Sequence, residues 1–334
     1  MARLTGGGSA EIKNNTFINL IYLGVSTHDL TLHPEDHLLI EGNKIIDCHY
    51  DAIAVDIWDR NLVDYDNGPV IIRNNEISIT APLVFWDDAG ISLGTWWAQG
   101  VSNAEVEGNT ITGWGCYAIV AAFYGHNRKI INNDLSGMIA WSGSITAMGR
   151  DGLIAGNILG PTDIEFATSM FGAPFIANAI NLLSQDPVWL GDHPQPLPVT
   201  GNVITDNDFR LTGLKGWGYD ASGNLASPGC VMLFSTVDMG ANDPWPGAEV
   251  TNNLVKETGR FPAGTGGPKQ QVVEFPVYAH HNRIVGHAAN EYAQLEASNP
   301  GIGQKIRESG AKFMQLQQKK QAFIKELIKG SEDH

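Results

Sequence analysis

The 334-residue chain has a formal net charge of -15, with 21 Lys and Arg against 36 Asp and Glu. This balance argues against nucleic acid as a partner, because binding to phosphates depends on basic side chains. Hydrophobic residues make up 43% of the chain and charged residues 17%, which excludes a disordered chain and allows a large core. No stretch is apolar for long enough to span a membrane.

From residue 12 onward a six-residue phrase recurs nine times: an apolar residue, any residue, a small or polar residue, Asn, any residue and a second apolar residue. Its copies begin at Ile12, Ile40, Ile72, Val106, Ile130, Ile154, Ile204, Val250 and, more weakly, Ala279. Successive phrases lie 24 to 50 residues apart, a range typical of a solenoid in which two levels carry loop insertions. We expect the Asn residues of the phrase to stack at one corner.

Between the phrases lies a second apolar alternation, which predicts another strand at each level because side chains in a strand alternate with period two. Its first inward residues are taken as equivalent, and they are Ile53, Ile91, Ile119, Ile145 and Ile180. Stacked parallel strands of this kind predict an all-β solenoid, a right-handed parallel β-helix of about nine single-stranded coils.

At this point the sequence resembles the right-handed parallel β-helix repeat proteins of the pectate-lyase-like superfamily. The resemblance covers about residues 10–288 and rests on the phrases GNKI, NNEI, GNTI, NNDL, GNIL, DNDF and NNLV. It implies the architecture, while the superfamily includes lyases, hydrolases, epimerases, phage tailspikes and non-catalytic surface proteins. None of the catalytic motifs of the characterised families is present as a complete set.

Alternation continued past the strands predicts a stripe of outward side chains five positions after each inward Ile: Trp58, Trp96, Tyr124, Arg150 and Gln185. Trp97 follows directly after the second of them. Exposed aromatic rings offer flat apolar faces to sugar rings, and a linear groove suits a linear polymer. We therefore expect this stripe to bind a polysaccharide, and the alternative is that the rings only pack beneath loops.

Ionisable residues gather beside the stripe, at the ends of the same strands: His126, Arg150, Asp151 and Asp186. Hydrolysis of a glycosidic bond needs two carboxyl groups, for which Asp151 and Asp186 are the candidates. Cleavage by β-elimination needs a base and a cation that neutralises the sugar carboxylate, for which His126 and Arg150 are the candidates. Polar turns without catalytic function have the same composition.

Other features predict no metal or disulfide framework. Cys48, Cys116 and Cys230 are odd in number and widely spaced, which is typical of core cysteines. His28, His33, His37 and His49 lack the spacing of a metal site. The cofactor stays unknown, and Ca²⁺ is an option because an acidic protein needs a cation to bind a polyanionic polysaccharide.

The last segment changes character, since apolar residues between 305 and 328 recur on one helical face. We expect residues 1–288 to form the β-helix and residues 289–334 a helical cap or tail, through which a homo-oligomer is possible. The N-terminus lacks the apolar segment of a signal peptide, although the family resemblance implies an extracellular or cell-surface protein.

The sequence thus predicts a carbohydrate-active protein that binds, and as a further hypothesis cleaves, a linear polysaccharide by lyase or hydrolase chemistry. The alternative is a non-catalytic surface, structural or phage-spike-like scaffold. An enzyme should bring charged side chains together beside the stripe, whereas a scaffold should leave them solvated and apart.

Overall fold

The computed structural model describes residues 2–20, 23–56, 66–79, 89–94, 101–121, 125–160, 180–184 and 201–208, together with the segments 218–219, 225–226, 231–235, 248–251, 254–257, 270–272, 279–280 and 283–287. Within these residues the structure is all-β and contains no helix. In this part of the chain there is accordingly no helix that is both apolar and long enough to cross a membrane. The predicted C-terminal helix at 305–328 lies outside the described residues.

The first fifteen strands follow one another closely along the chain. They are β1 (Ala2–Gly7), β2 (Ala10–Lys13), β3 (Thr16–Leu20), β4 (Val25–Thr31), β5 (Leu38–Glu41), β6 (Lys44–Cys48), β7 (Ile53–Val55), β8 (Val70–Arg73), β9 (Glu76–Ile79), β10 (Ala89–Leu93), β11 (Ala104–Glu107), β12 (Thr110–Ala121), β13 (Lys129–Ile131), β14 (Met138–Ala147) and β15 (Leu153–Ala155).

The remaining strands are shorter or farther apart. They are β16 (Ile180–Ser184), β17 (Asn202–Thr205), β18 (Gly218–Tyr219), β19 (Leu225–Ala226), β20 (Val231–Ser235), β21 (Ala248–Thr251), β22 (Leu254–Glu257), β23 (Gln270–Val272), β24 (Ala279–His280) and β25 (Arg283–His287).

The chain returns to the same stacks of strands in a fixed order. A nine-stranded sheet runs β2-β5-β8-β11-β13-β15-β17-β21-β24, and all of its pairs are parallel. A second parallel stack runs β1-β4-β7-β10-β12-β14-β16-β20, and a third runs β3-β6-β9-β12. From β2 to β13, the chain visits the third stack and then the second between one strand of the nine-stranded sheet and the next.

The strand register predicted from the inward Ile residues is confirmed. Ile91 pairs with both Ile53 and Ile119, and Ile145 pairs with both Ile119 and Ile180. The side chains of these five residues are completely buried. In the nine-stranded sheet the first apolar residues of the phrase pair in the same way, from Ile12 to Val250. Burial of these columns supplies the hydrophobic stabilisation of the core.

The predicted Asn ladder is also confirmed. Each Asn of the phrase donates from its backbone N–H and from Nδ2 to Oδ1 of the next one, at 2.9–3.1 Å. The ladder comprises Asn15, Asn43, Asn75, Asn109, Asn133, Asn157 and Asn207. Asn253 and Asn282 lie outside the described residues.

The bend itself depends on a different residue from the ladder Asn. The left-handed conformation belongs to the residue before it, as at Asn14 (φ 57°), Gly42 (φ 65°) and Asn74 (φ 55°). Asn and Gly enter this region at lower cost than other residues, because a Cβ otherwise crowds the following carbonyl. The third position of the phrase therefore makes the turn, and the fourth makes the hydrogen-bonded ladder.

Candidate functional site

Three of the predicted site residues lie together in the structure: His126, Arg150 and Asp151. They are at the corner where the chain enters the nine-stranded sheet, just before β13 and β15. Trp58, Trp96, Trp97, Tyr124, Gln185 and Asp186 lie outside the described residues, so the aromatic stripe and the second carboxylate stay predictions.

Arg128 holds the chain in place next to His126. Its side chain is buried, and its N–H groups donate to the carbonyls of Val101 (2.6 Å), Ala121 (2.9 Å) and Met148 (2.6 Å). Burial lowers the pKa of Arg128 to about 9, so the guanidinium still carries its charge at neutral pH. These hydrogen bonds connect three successive levels of the stack.

Gly125 is required by the same arrangement. A Cβ at this position would collide with the Arg128 guanidinium, so only glycine lets the chain pass. Asn127 then turns the chain into β13 with a φ of 54°. His126 is thus held between two constrained neighbours.

The imidazole of His126 lies between a serine and a carboxylate. Its Nδ1 is 3.2 Å from Ser102 Oγ, and its Nε2 is 3.5 Å from Asp66 Oδ1. Its backbone N–H also donates to Ser102 Oγ, at 3.2 Å. The side chain of His126 is 17% exposed and that of Asp66 is 72% exposed. The ring is therefore fixed on the serine side, while on its other side it faces the solvent-exposed carboxylate of Asp66.

Arg150 is on the next level of the stack and forms a parallel bridge with His126. Its Nη1 donates to Asp151 Oδ2 at 2.8 Å. The side chains of Arg150 and Asp151 are 34% and 53% exposed, so both reach solvent. Neighbouring levels of a parallel stack are about 4.8 Å apart, which brings the imidazole and the guanidinium to adjacent positions on one surface.

The register predicted for Arg150 is wrong by two residues. The expected neighbour was Tyr124, but the structure pairs Arg150 with His126. His126 is five positions after Ala121, whereas Arg150 is three positions after Ala147, although Ala121 and Ala147 are paired. Beyond the strand end no alternation of buried side chains holds the register, and the longer connection moves it by two. Both His126 and Arg150 lie after their strands, not on a strand face.

We name this cluster the polar corner; it comprises Asp66, Ser102, Asn103, His126, Asn127, Arg150 and Asp151. Sequence reasoning missed four of these residues: Asp66, Ser102, Asn103 and Asn127. Asn103 Nδ2 donates to Asp66 Oδ1 at 2.6 Å, and Asn127 Nδ2 donates to Asn103 Oδ1 at 2.8 Å. A signal was present in the sequence. Ser102-Asn103, His126-Asn127 and Arg150-Asp151 are polar-Asx pairs 24 residues apart, each just before a strand of the same sheet.

The outward positions of the second stack are small and buried. They are Ser26 (5% exposed), Ala54 (2%), Ser92 (3%), Val120 (1%) and Thr146 (0%). The side chains at these positions are therefore shielded from solvent.

Elimination fits the polar corner better than hydrolysis does. Asp66 and Asp151 are both largely solvated, whereas the acid of a glycosidase is held in an apolar setting. His126 and Arg150, in contrast, offer a nitrogen base and a cation on adjacent levels. Among the described residues no three His, Cys, Asp or Glu side chains are placed to hold a metal ion.

Comparisons of the chain with protein-family models, with curated proteins and with solved structures gave no significant match.

Proposed function

We propose that the chain is a right-handed parallel β-helix that binds a linear polysaccharide along a surface bordered by the polar corner. The fixed order in which the chain visits its parallel stacks supports the solenoid. Right-handedness follows the general preference of parallel crossover connections. A stack with a repeat of about 4.8 Å offers evenly spaced side chains to an extended polymer.

The observation that carries the functional proposal is the pairing of His126 with Arg150. In cleavage by elimination, Arg150 neutralises the uronate carboxylate and so acidifies the C5 proton, which His126 Nε2 removes. The C4–C5 double bond forms as the bond between C4 and the leaving oxygen breaks, and that oxygen takes up a proton from water. For this role Nδ1–H donates to Ser102 Oγ, and Asp66 turns away from Nε2 when substrate binds.

The charge of the protein sets the conditions for this reaction. A net charge of -15 repels a polyuronate except where Arg150 or a cation such as Ca²⁺ intervenes. We therefore expect activity on polyuronates to depend on ionic conditions, and we expect binding of neutral polysaccharides to depend on them much less.

The test is product analysis with matched variants. The full chain is incubated with linear neutral and uronic acid polysaccharides, with and without Ca²⁺, and unsaturated products and new reducing ends are measured separately. Arg150→Ala and His126→Ala should each lower the yield of unsaturated product at least about 100-fold, the usual contribution of one acid-base or charge-stabilising group.

Arg73→Ala is the control, because Arg73 is also a solvent-reaching arginine paired with a carboxylate, Glu41, but lies on the outer face of the nine-stranded sheet. Its activity should equal that of the wild type. New reducing ends without unsaturated products would show that the protein cleaves by hydrolysis and not by elimination.

The second candidate is a non-catalytic scaffold, and the burial of the outward positions of the second stack favours it. Ser26, Ala54, Ser92, Val120 and Thr146 offer no exposed side chain to a ligand. Binding of a polysaccharide without either product would support a scaffold that uses the polar corner for attachment.

A further inference from the structure

The outer face of the nine-stranded sheet carries apolar side chains where a solvated face would carry polar ones. In each strand the residues on either side of the buried first apolar residue of the phrase point away from the core. Six of these outward positions are apolar and partly exposed: Leu39, Ile71, Ile131, Leu153, Ala155 and Val203. Apolar side chains that line up on one surface are typical of a contact with another element.

These side chains form two clusters along the stack. The small cluster consists of Leu39 and Ile71, which pair on the levels of β5 and β8. The large cluster lies on β13, β15 and β17, where Ile131 pairs with Ala155 and Leu153 pairs with Val203.

The level between the two clusters is acidic. It is the level of β11, whose outward residues are Glu105 and Glu107. Glu105 pairs with Ile71 and so borders the small cluster, and Glu107 pairs with Ile131 and so borders the large cluster. Along the stack this face is therefore apolar, then acidic, then apolar again.

Glu107 is the acid of this level whose charge is available. Lys129 Nζ is 3.5 Å from Glu105 Oε2, and Arg73 on the preceding level donates to Glu41 at 2.7 Å. In the described part of the chain no basic side chain forms an ion pair with Glu107. A cation that approaches this face can therefore pair with Glu107 without displacing another one.

The segment 305–328 has the same pattern in its sequence. It lies outside the described residues, and its helix is a prediction from periodicity. One face of that helix carries two apolar groups: Phe313 and Leu316 first, and Phe323, Ile324, Leu327 and Ile328 second. Because a helix turns by about 100° per residue, Lys320 lies on the same face, between the two groups. The segment contains six Lys and Arg against two Glu, in a chain with a net charge of -15.

The spacings of the two patterns agree as well. With a rise of about 1.5 Å per residue, the centres of the two apolar groups of the helix are about 16 Å apart. With about 4.8 Å between levels, the centres of the small and the large cluster are about 17 Å apart. Lys320 lies about 8 Å from each apolar group, and the level of β11 lies about 7 Å from one cluster and about 10 Å from the other.

We propose that the segment 305–328 docks on this face of its own chain, with its first apolar group on the small cluster and its second on the large cluster. Lys320 then pairs with Glu107. The strands of this face have three or four residues and are only about 10–13 Å long, so a helix of about 36 Å lies across them, along the stack. Residues 288–304 reach about 55 Å when extended, which is enough to bring the segment back to the sheet.

Photo-crosslinking in the full chain tests the docking. A benzophenone amino acid replaces Phe323, and mass spectrometry maps the residues to which it attaches after irradiation. We expect attachment to the large cluster within one chain, so that the product keeps the mass of the monomer. The same amino acid in place of Gln318, on the opposite face of the predicted helix, is the control and should attach there at least tenfold less. No attachment to the large cluster, or attachment only in a product with the mass of a dimer, would overturn the proposal.

Charge exchange tests the contact between Lys320 and Glu107. Glu107→Lys should reduce attachment from position 323 at least threefold, and Lys320→Glu in the same chain should restore it, because the exchanged pair makes the same contact in reverse. Glu76→Lys is the control, because Glu76 is also an exposed glutamate but lies on β9 in the third stack. Circular dichroism shows that the variants stay folded. If Glu76→Lys reduced attachment as much as Glu107→Lys, or if the exchanged pair failed to restore it, the proposed docking would be wrong.

Discussion

Asn109 shows what one residue of the ladder contributes. It is completely buried, and its Nδ2 donates to Asn133 Oδ1 at 3.0 Å and to Ile72 O at 2.9 Å. Its Oδ1 accepts from the backbone N–H and Nδ2 of Asn75. A single amide thus satisfies polar groups on the levels before and after its own, which no apolar side chain of similar size can do.

Asn109→Ala should therefore lower the free energy of unfolding by about 3 kcal/mol, because it leaves buried donors and a carbonyl without partners. Asn15→Ala is the matched control at the exposed end of the ladder and should change stability by less than about 0.5 kcal/mol. Urea unfolding followed by circular dichroism measures both. Similar losses for the two variants would show that the ladder is not what stabilises the corner.

The residue scale also shows why the sequence predicted the ladder but did not identify the residue that makes the bend. The nine Asn residues are recognisable by their apolar flanks, which fix their place in the register. The preceding residue varies among Asn, Gly and Asp, and these are the types that accept a positive φ. The polar corner was recognised only in part, because two of its members are far from His126 in the sequence. Ser102 lies 24 positions and Asp66 lies 60 positions before His126, and both contact its imidazole.

At the scale of the strand, the register is fixed where the paired residues of adjacent strands are both buried. Ile53, Ile91, Ile119, Ile145 and Ile180 align as predicted because a slip of one residue would turn each of them out of the core. Beyond the strand ends this constraint is absent, and the predicted alignment of Tyr124 with Arg150 is wrong. The register after a strand end depends on the length of the connection, which can be counted only when the end of one strand and the start of the next are known.

The third position of the phrase gives a test at the same scale, because it alternates between Asn and Gly from Asn14 to Gly156. Gly108→Ala places a Cβ at a φ of 62° and close to Asn74 Oδ1, so it should lower the free energy of unfolding by more than the roughly 1–2 kcal/mol of the left-handed backbone alone. In the Asn74→Ala background the same substitution should cost only the backbone term. A double-mutant cycle by urea unfolding separates the two contributions.

If Gly108→Ala costs the same in both backgrounds, the contact with Asn74 does not limit the residue at the third position of the next level. The alternation would then reflect backbone preference alone.

At the scale of the whole molecule, parallel stacking joins the core to the surface chemistry. The same repeat that aligns buried Ile residues also places His126 next to Arg150, because each level contributes one polar residue at the same corner. The sequence predicted an all-β repeat region with parallel strands, and the described residues confirm it. The C-terminal helix at 305–328 and the boundary at residue 288 stay predictions, since both lie outside the described residues.

Polysaccharide binding is the central claim, and affinity electrophoresis of the full chain in gels that contain single linear polysaccharides tests it most directly. We expect at least one polymer to retard the wild type, and we expect Trp96→Ala to weaken that retardation by about 1–3 kcal/mol, the scale of one lost aromatic contact. Ile18→Ala, which removes a 56% exposed apolar side chain from the first level, should migrate like the wild type. Migration of the wild type unchanged by every polymer would contradict the proposed function and leave the scaffold as the better account.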